Sequence, residues 1–211
     1  MARYYLKEKV DAAKAYREAL SGEECNRLTI SILGLGETGG ADDAETLIAF
    51  TKDRSPRIRA AAVKAIARLA AEKQASALLD AVGDASTRVS RMAVRALTPL
   101  ARRLEQQIEQ RMPEWLTQAR PLVRRQALLL ASRLFHWQQP AYLLPAVADE
   151  DPRVSAVAKG LLQRWISRRG TVPLAPRDDQ LAVARQAYES VKHHLRQSTR
   201  QRLDETLGWR R

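Results

Sequence analysis

Residues 53–70 read DRSPRIRAAAVKAIARLA, and residues 84–101 read DASTRVSRMAVRALTPLA. At an offset of 31 the two stretches are identical at eight of 18 positions: Asp53/Asp84, Ser55/Ser86, Arg57/Arg88, Ala62/Ala93, Val63/Val94, Ala65/Ala96, Leu69/Leu100 and Ala70/Ala101. Ile58/Val89, Lys64/Arg95 and Ile66/Leu97 are close substitutions. A weaker copy, PLVRRQALLLASRL, follows at residues 121–134, and another, DEDPRVSAVAKGLL, at residues 149–162. Two alanine-rich helices can look alike by composition alone, but composition does not hold a period through four copies. The chain is an array of repeats.

Each copy has the period of a helix. In the first, Ile58, Ala62, Ala65, Ile66 and Leu69 fall on one face at about 100° per residue. Asp53 and Ser55 are capping candidates, and Pro56 suits a first helical turn. Shorter amphipathic stretches lie between the copies, at 42–51, 72–82, 104–116 and 142–147, with Gly36, Gly39, Gly40 and Gly83 expected in turns. The unit is a helical hairpin that cannot bury its apolar face alone, whereas a stack of hairpins can. The period predicts an all-α structure with Ile58, Val89, Val123 and Val154 buried at equivalent points, and Leu69 and Leu100 in the core.

The repeats resemble the HEAT family. Residues 35–69, LGETGGADDAETLIAFTKDRSPRIRAAAVKAIARL, look like its short variety, also found in phycobilin lyases. There a short helix is followed by Asp, a Pro-containing turn, Val-Arg and an Ala-rich helix. The resemblance covers about residues 27–166 and is strongest over 35–101. The family's Val-Arg pair falls on Ile58-Arg59 and Val123-Arg124, but Val89-Ser90 and Val154-Ser155 stand in the other copies, interrupting the family's Asp/Arg ladder. The resemblance implies a right-handed α-solenoid of about five hairpins plus a C-terminal helix. It also implies a scaffold that grips a partner on its concave side, and no particular chemistry.

On this reading the solenoid occupies residues 1–169. An N-terminal helix over 3–20 carries Tyr5, Leu6, Val10, Ala13 and Leu20 as apolar positions. GTVPLAPR at 170–177 is a linker, and a basic amphipathic helix fills 178–211, with Leu181, Ala184, Tyr188, Val191, Leu195 and Leu203 along one stripe. Both end helices are expected to cap the array's core; a partner or dimerisation helix is the alternative.

Composition agrees with a soluble helical protein. The 211 residues are 45% apolar and 28% charged but only 5% aromatic, which suits helices packed through small side chains. The lone cysteine, Cys25, excludes an internal disulfide and fits a reducing, cytoplasmic setting. No apolar run reaches the roughly 18 residues that span a bilayer, so no membrane role is expected. Lys and Arg total 36 against 24 Asp and Glu, a net charge of +12, which favours acidic partners.

The charges are unevenly spread. The second helices with their approaches, residues 54–70, 85–101, 119–136 and 152–168, hold 16 Lys/Arg and no Asp or Glu. Arg57, Lys64 and Arg68 lie within about 40° of one another on the first helix. Equivalent positions supply Arg88 and Arg95, then Arg133, then Arg153 and Arg164. With neighbouring helices about 8–10 Å apart, these eight residues are expected to form a basic ridge on the concave face. The family often carries Glu where Lys64 and Arg95 stand here. Such a ridge suits an acidic protein or complex subunit. A nucleic acid is the alternative partner, since phosphates reward the same charge, although aromatic platforms for single strands are missing from the ridge. An unspecialised solvated face is the plainest alternative.

Catalytic signals are thin, and no enzyme, cofactor or metal site is expected. His136, His193 and His194 have no Cys or carboxylate at ligand spacing, and adjacent histidines on a helix point apart. Cys25 has no partner motif. The glycines of LGLGETGG are expected between two helices, not after a strand, which argues against a phosphate loop. HEAT-like DNA glycosylases use tryptophans and an Asp, and Trp115, Trp137 and Trp165 invite that comparison, but the acid-free inner helices offer no carboxylate. A chromophore-lyase role is a comparably remote third reading.

Overall fold

The computed structural model describes residues 12–21, 25–168 and 175–208. Among them twelve α-helices follow in order: α1 Ala12–Ala19, α2 Cys25–Thr38, α3 Asp43–Ile48, α4 Pro56–Ala70, α5 Ala75–Asp80, α6 Thr87–Leu97, α7 Glu105–Leu116, α8 Pro121–Ala131, α9 Gln139–Leu143, α10 Pro152–Ser167, α11 Asp178–Val191 and α12 Gln197–Thr206. Pro56, Pro121 and Pro152 open α4, α8 and α10. At that position a missing N–H costs no helical bond, and the fixed φ is already helical. Of the expected caps, Ser55 makes no side-chain capping bond to the helix. Asp53 acts instead, its carboxylate accepting from the Ser55 N–H at 2.6 Å.

The helices pair into hairpins within two compact units, Met1–Leu100 and Ala101–Arg211. In the first unit α2, α4 and α6 pack side by side, backed by α1, α3 and α5. In the second, α8, α10 and α12 form the corresponding layer, with α7, α9 and α11 behind. The repeat's core positions, Ile58, Val89, Val123 and Val154, are all buried. Leu69 and Leu100 are only half-buried. Each falls at the end of its helix or the turn after it, at the rim of the layer, while Ile66 and Leu97 three residues earlier are fully enclosed.

Gly34 and Gly36 differ from the sequence expectation, because both lie inside α2 and not between helices. A Cβ on Gly36 would sit 2.7 Å from the Ala65 Cα, and one on Gly34 would collide with the Tyr16 ring. The glycines let α2 approach α4 and α1 closely. This outweighs their low helix propensity.

Arginine clamps bind successive hairpins. Arg59 donates to both oxygens of Asp84, at 2.7 and 2.8 Å, and reaches back to the Asp53 carbonyl at 2.9 Å. Arg124 does the same with Asp149, at 2.8 and 2.9 Å, and with the Gln118 carbonyl at 2.7 Å. Arg17 holds Asp43 in a third such pair. Where serine replaces the arginine, the hydroxyl bonds locally: Ser90 to the Val82 carbonyl at 2.7 Å and Ser155 to Val147 at 2.6 Å. The interrupted ladder therefore leaves no buried polar group unpaired at these two positions.

At the C-terminal end the expected amphipathic helix starts at Asp178 but stops at Val191. A 3-10 turn, Lys192–His194, leads into α12, which packs against α10. Ala184, Tyr188, Val191, Leu195 and Leu203 are buried as the stripe requires. The Tyr188 hydroxyl joins the two helices by donating to Asp204 at 2.8 Å. Tyr5, Leu6 and Val10, the Cys25 side chain and most of the 170–177 linker lie outside the described residues.

Candidate partner-binding ridge

The inner helices of the first unit keep the 31-residue register. Arg57 donates to Asn26 Oδ1 at 3.1 Å, and Arg68 to Glu37 Oε1 at 2.6 Å, both across 31 residues. Asn26 and Glu37 on α2 thus stand where Arg57 and Arg68 stand on α4. Arg57, Arg68, Arg88 and Arg95 are exposed, and Lys64 is half-buried.

Glu37 changes the electrostatics. The Arg68 hydrogen bond and charge, with Lys64 adding, hold its carboxyl below the usual range, so an anion sits beside these cations. Sequence reasoning missed it because the glycines of α2 read as a turn, leaving that helix out of the acid-free set. The Arg68–Glu37 pair is exposed, with side chains 42% and 51% accessible. Solvent screening keeps such a pair weak, so a partner's carboxylate can compete for Arg68.

In the second unit Arg133 and Arg164 are exposed and line one cleft of about 70 Å³ with Ser132, Gln139, Trp165 and Arg168. Arg153 is exposed in the first turn of α10 and does not line this cleft. Below the cleft lies an aromatic cluster. His136 stacks on Trp165 with centroids 4.9 Å apart, and Trp137 meets both edge-on. The Trp165 indole donates to the His136 carbonyl at 2.7 Å. Burial, aided by the Arg168 charge, lowers the His136 pKa to about 4. The ring is neutral at physiological pH.

Trp115 and Trp165 are core residues, 1% and 2% exposed, and Trp137 is half-buried. None stands out as a platform for a base. Among the described residues no three His, Cys, Asp or Glu side chains are placed to hold a metal. His193 and His194 lie with rings 4.1 Å apart. They do not diverge as expected because they sit on a 3-10 turn and not a regular helix. No helix among the described residues is long and apolar enough to cross a membrane.

Stacked helical hairpins joined by Asp–Arg clamps define a helical-repeat protein of the armadillo/HEAT type. Residues 17–98 match the family model for HEAT repeats, and this stretch consists of such repeats. No curated protein matches the sequence. Among solved structures, the chain is similar to a designed armadillo repeat protein in complex with the peptide (KR)4. The TM-score is 0.54 and the identity 17%, covering 94% of this chain and 98% of that one. It is also similar to a chain in the structure of the Pds5–Scc1 complex, with TM-score 0.60 and 11% identity over 98% of this chain. There it spans about a third of the larger chain, 35%. HEAT and armadillo scaffolds commonly bind partner peptides or proteins, and this fold resembles those non-enzymatic scaffolds.

Proposed function

We propose that this chain is a non-catalytic, cytoplasmic scaffold that holds an acidic segment of a partner protein or complex subunit. Each unit offers its own contacts: Arg57, Lys64, Arg68, Arg88 and Arg95 in the first, and Arg133, Arg153 and Arg164 in the second. One observation carries the reading. The α4, α6, α8 and α10 helices contain no Asp or Glu, and seven of these eight cations are exposed. Solubility alone needs both signs interspersed, not four helices free of one sign. The designed armadillo protein is complexed with a cationic (KR)4 peptide. Basic inner helices call for a peptide of negative charge.

A nucleic acid is the second reading, favoured by the net charge of +12. It lacks exposed tryptophan platforms among the described residues, the usual partners of unpaired bases.

The test reverses charge where the repeat pattern tolerates Glu. Lys64→Glu plus Arg95→Glu should weaken binding to an acidic peptide strongly and leave the melting temperature nearly unchanged. Random DNA and RNA, titrated in parallel over salt, separate the second reading by a steep log–log slope. Peptide binding that ignores the double reversal removes the ridge.

A further inference from the structure

We propose that the cleft between Arg133 and Arg164 is an anchor that takes one side-chain carboxylate of an acidic peptide. This rests on the scaffold reading above but names a discrete pocket within the second unit. The cleft lies where the turn after α8 meets the last turns of α10, and no acidic residue lines it. Its volume, about 70 Å³, is roughly that of two waters at about 30 Å³ each. A carboxylate fits there.

The donors in the cleft are unequal. The Ser132 hydroxyl donates to the Leu129 carbonyl at 2.7 Å, the Gln139 amide to Leu134 at 2.9 Å and the Trp165 indole to His136 at 2.7 Å. Each of these groups is already engaged with backbone. Arg164 makes only a long contact from Nε to the Gly160 carbonyl, 3.4 Å. Among the described residues neither Arg133 nor Arg164 has a carboxylate partner, unlike Arg68 with Glu37. Two guanidinium groups therefore remain to meet an anion, and their planar forks match a carboxylate's two oxygens. Arg168 adds charge at the same place, since it is near enough to depress the His136 titration. The backing is rigid: Trp165 is 2% exposed and fixed by its stack and its indole hydrogen bond. A larger cleft of about 490 Å³, lined by Lys159, His194 and Arg196, lies elsewhere in the unit. Its lining contains neither of these arginines.

The experiment measures binding of a fluorescent octaglutamate peptide and a single-stranded oligonucleotide to the full chain at fixed salt. The variants are Arg133→Gln plus Arg164→Gln, Arg164→Lys, and a net-charge control, Lys73→Gln plus Arg200→Gln. The cleft pair should weaken peptide binding by about tenfold or more, the scale of one charge-assisted hydrogen bond, and the control by much less. Arg164→Lys keeps the charge but loses the fork, and should fall between. All variants should melt within a few degrees of the parent, because both arginines are solvent-facing. If the cleft pair matches the control while Lys64→Glu plus Arg95→Glu still weakens the peptide, the anchor is wrong and the ridge stands. If neither pair matters, the ridge reading fails with it. A loss confined to the oligonucleotide overturns the carboxylate assignment.

Discussion

Arg124 and Asp149 lie 25 residues apart and face one another through two hydrogen bonds, at 2.8 and 2.9 Å, the spacing and geometry of Arg59 with Asp84. The Arg124 side chain is 7% exposed and that of Asp149 11%. Both charges are largely withdrawn from water, and Asp149 compensates Arg124 at close range while the exposed Glu150 carboxylate stands farther off, at 3.4 Å.

Removing one partner should therefore be severe. Asp149→Ala leaves the buried Arg124 with only the exposed Glu150 carboxylate, 3.4 Å away, as an anion, and is expected to cost about 3–5 kcal/mol, whereas replacing both by leucine should cost much less. Burial pushes the Asp149 carboxyl up, but the Arg124 bonds, the Asp151 N–H and the Arg124 charge outweigh it and hold the pKa below 3.8. Stability from this group is thus present above that value and is lost as pH falls below it. Denaturant unfolding of the two variants checks the claim, and an Asp149→Ala cost under about 1 kcal/mol, the range of an exposed pair, would contradict it.

Core truncations should follow burial and not the repeat pattern alone. Ile66→Ala and Leu97→Ala remove fully enclosed side chains and should each cost about 2–5 kcal/mol. Leu69→Ala and Leu100→Ala, at half-buried positions, should cost clearly less. Equal losses at all four sites would mean that the rim is as tightly packed as the interior.

His136 should make the second unit acid-sensitive. Its pKa is lowered from 6.5 to about 4 by burial first and the Arg168 charge second. The unfolded chain takes up the proton first as pH falls, so stability is intact above pH 6.5 and declines between 6.5 and about 4. His136→Phe should flatten this decline in urea midpoints measured from pH 7.5 to 4.5. The same slope in parent and variant would rule out the imidazole as its source.

Deleting the chain after Gly170 removes α11 and α12, which pack on α9 and α10. Leu161, Leu162 and Trp165, now buried, should be exposed in part, with aggregation visible by light scattering. A truncated chain that stays monomeric and equally stable would show that the last hairpin serves something other than capping.

Much of the fold can be read in the sequence because the repeat ties one helix to the next. Ile58, Val89, Val123 and Val154 recur at fixed register and are buried alike. Pro56, Pro121 and Pro152 mark helix starts. What escapes depends on residues brought together from different hairpins. The Arg68–Glu37 pair needs α2 to be recognised as a helix, and its glycines, chosen for close approach to Ala65 and Tyr16, look like a turn. The break at Lys192 is masked because the apolar stripe continues through it. The Arg133–Arg164 cleft joins a loop to the far end of another helix, and no local pattern encodes that meeting.

The most direct test of the central claim is a comparison of two peptides of equal length and opposite sign, (DE)4 and (KR)4, titrated against the full chain at low salt by anisotropy. The account predicts saturable binding of (DE)4, weakened by added salt and by Lys64→Glu plus Arg95→Glu, and no measurable binding of (KR)4. Equal affinity for both peptides, or preference for (KR)4, would contradict it.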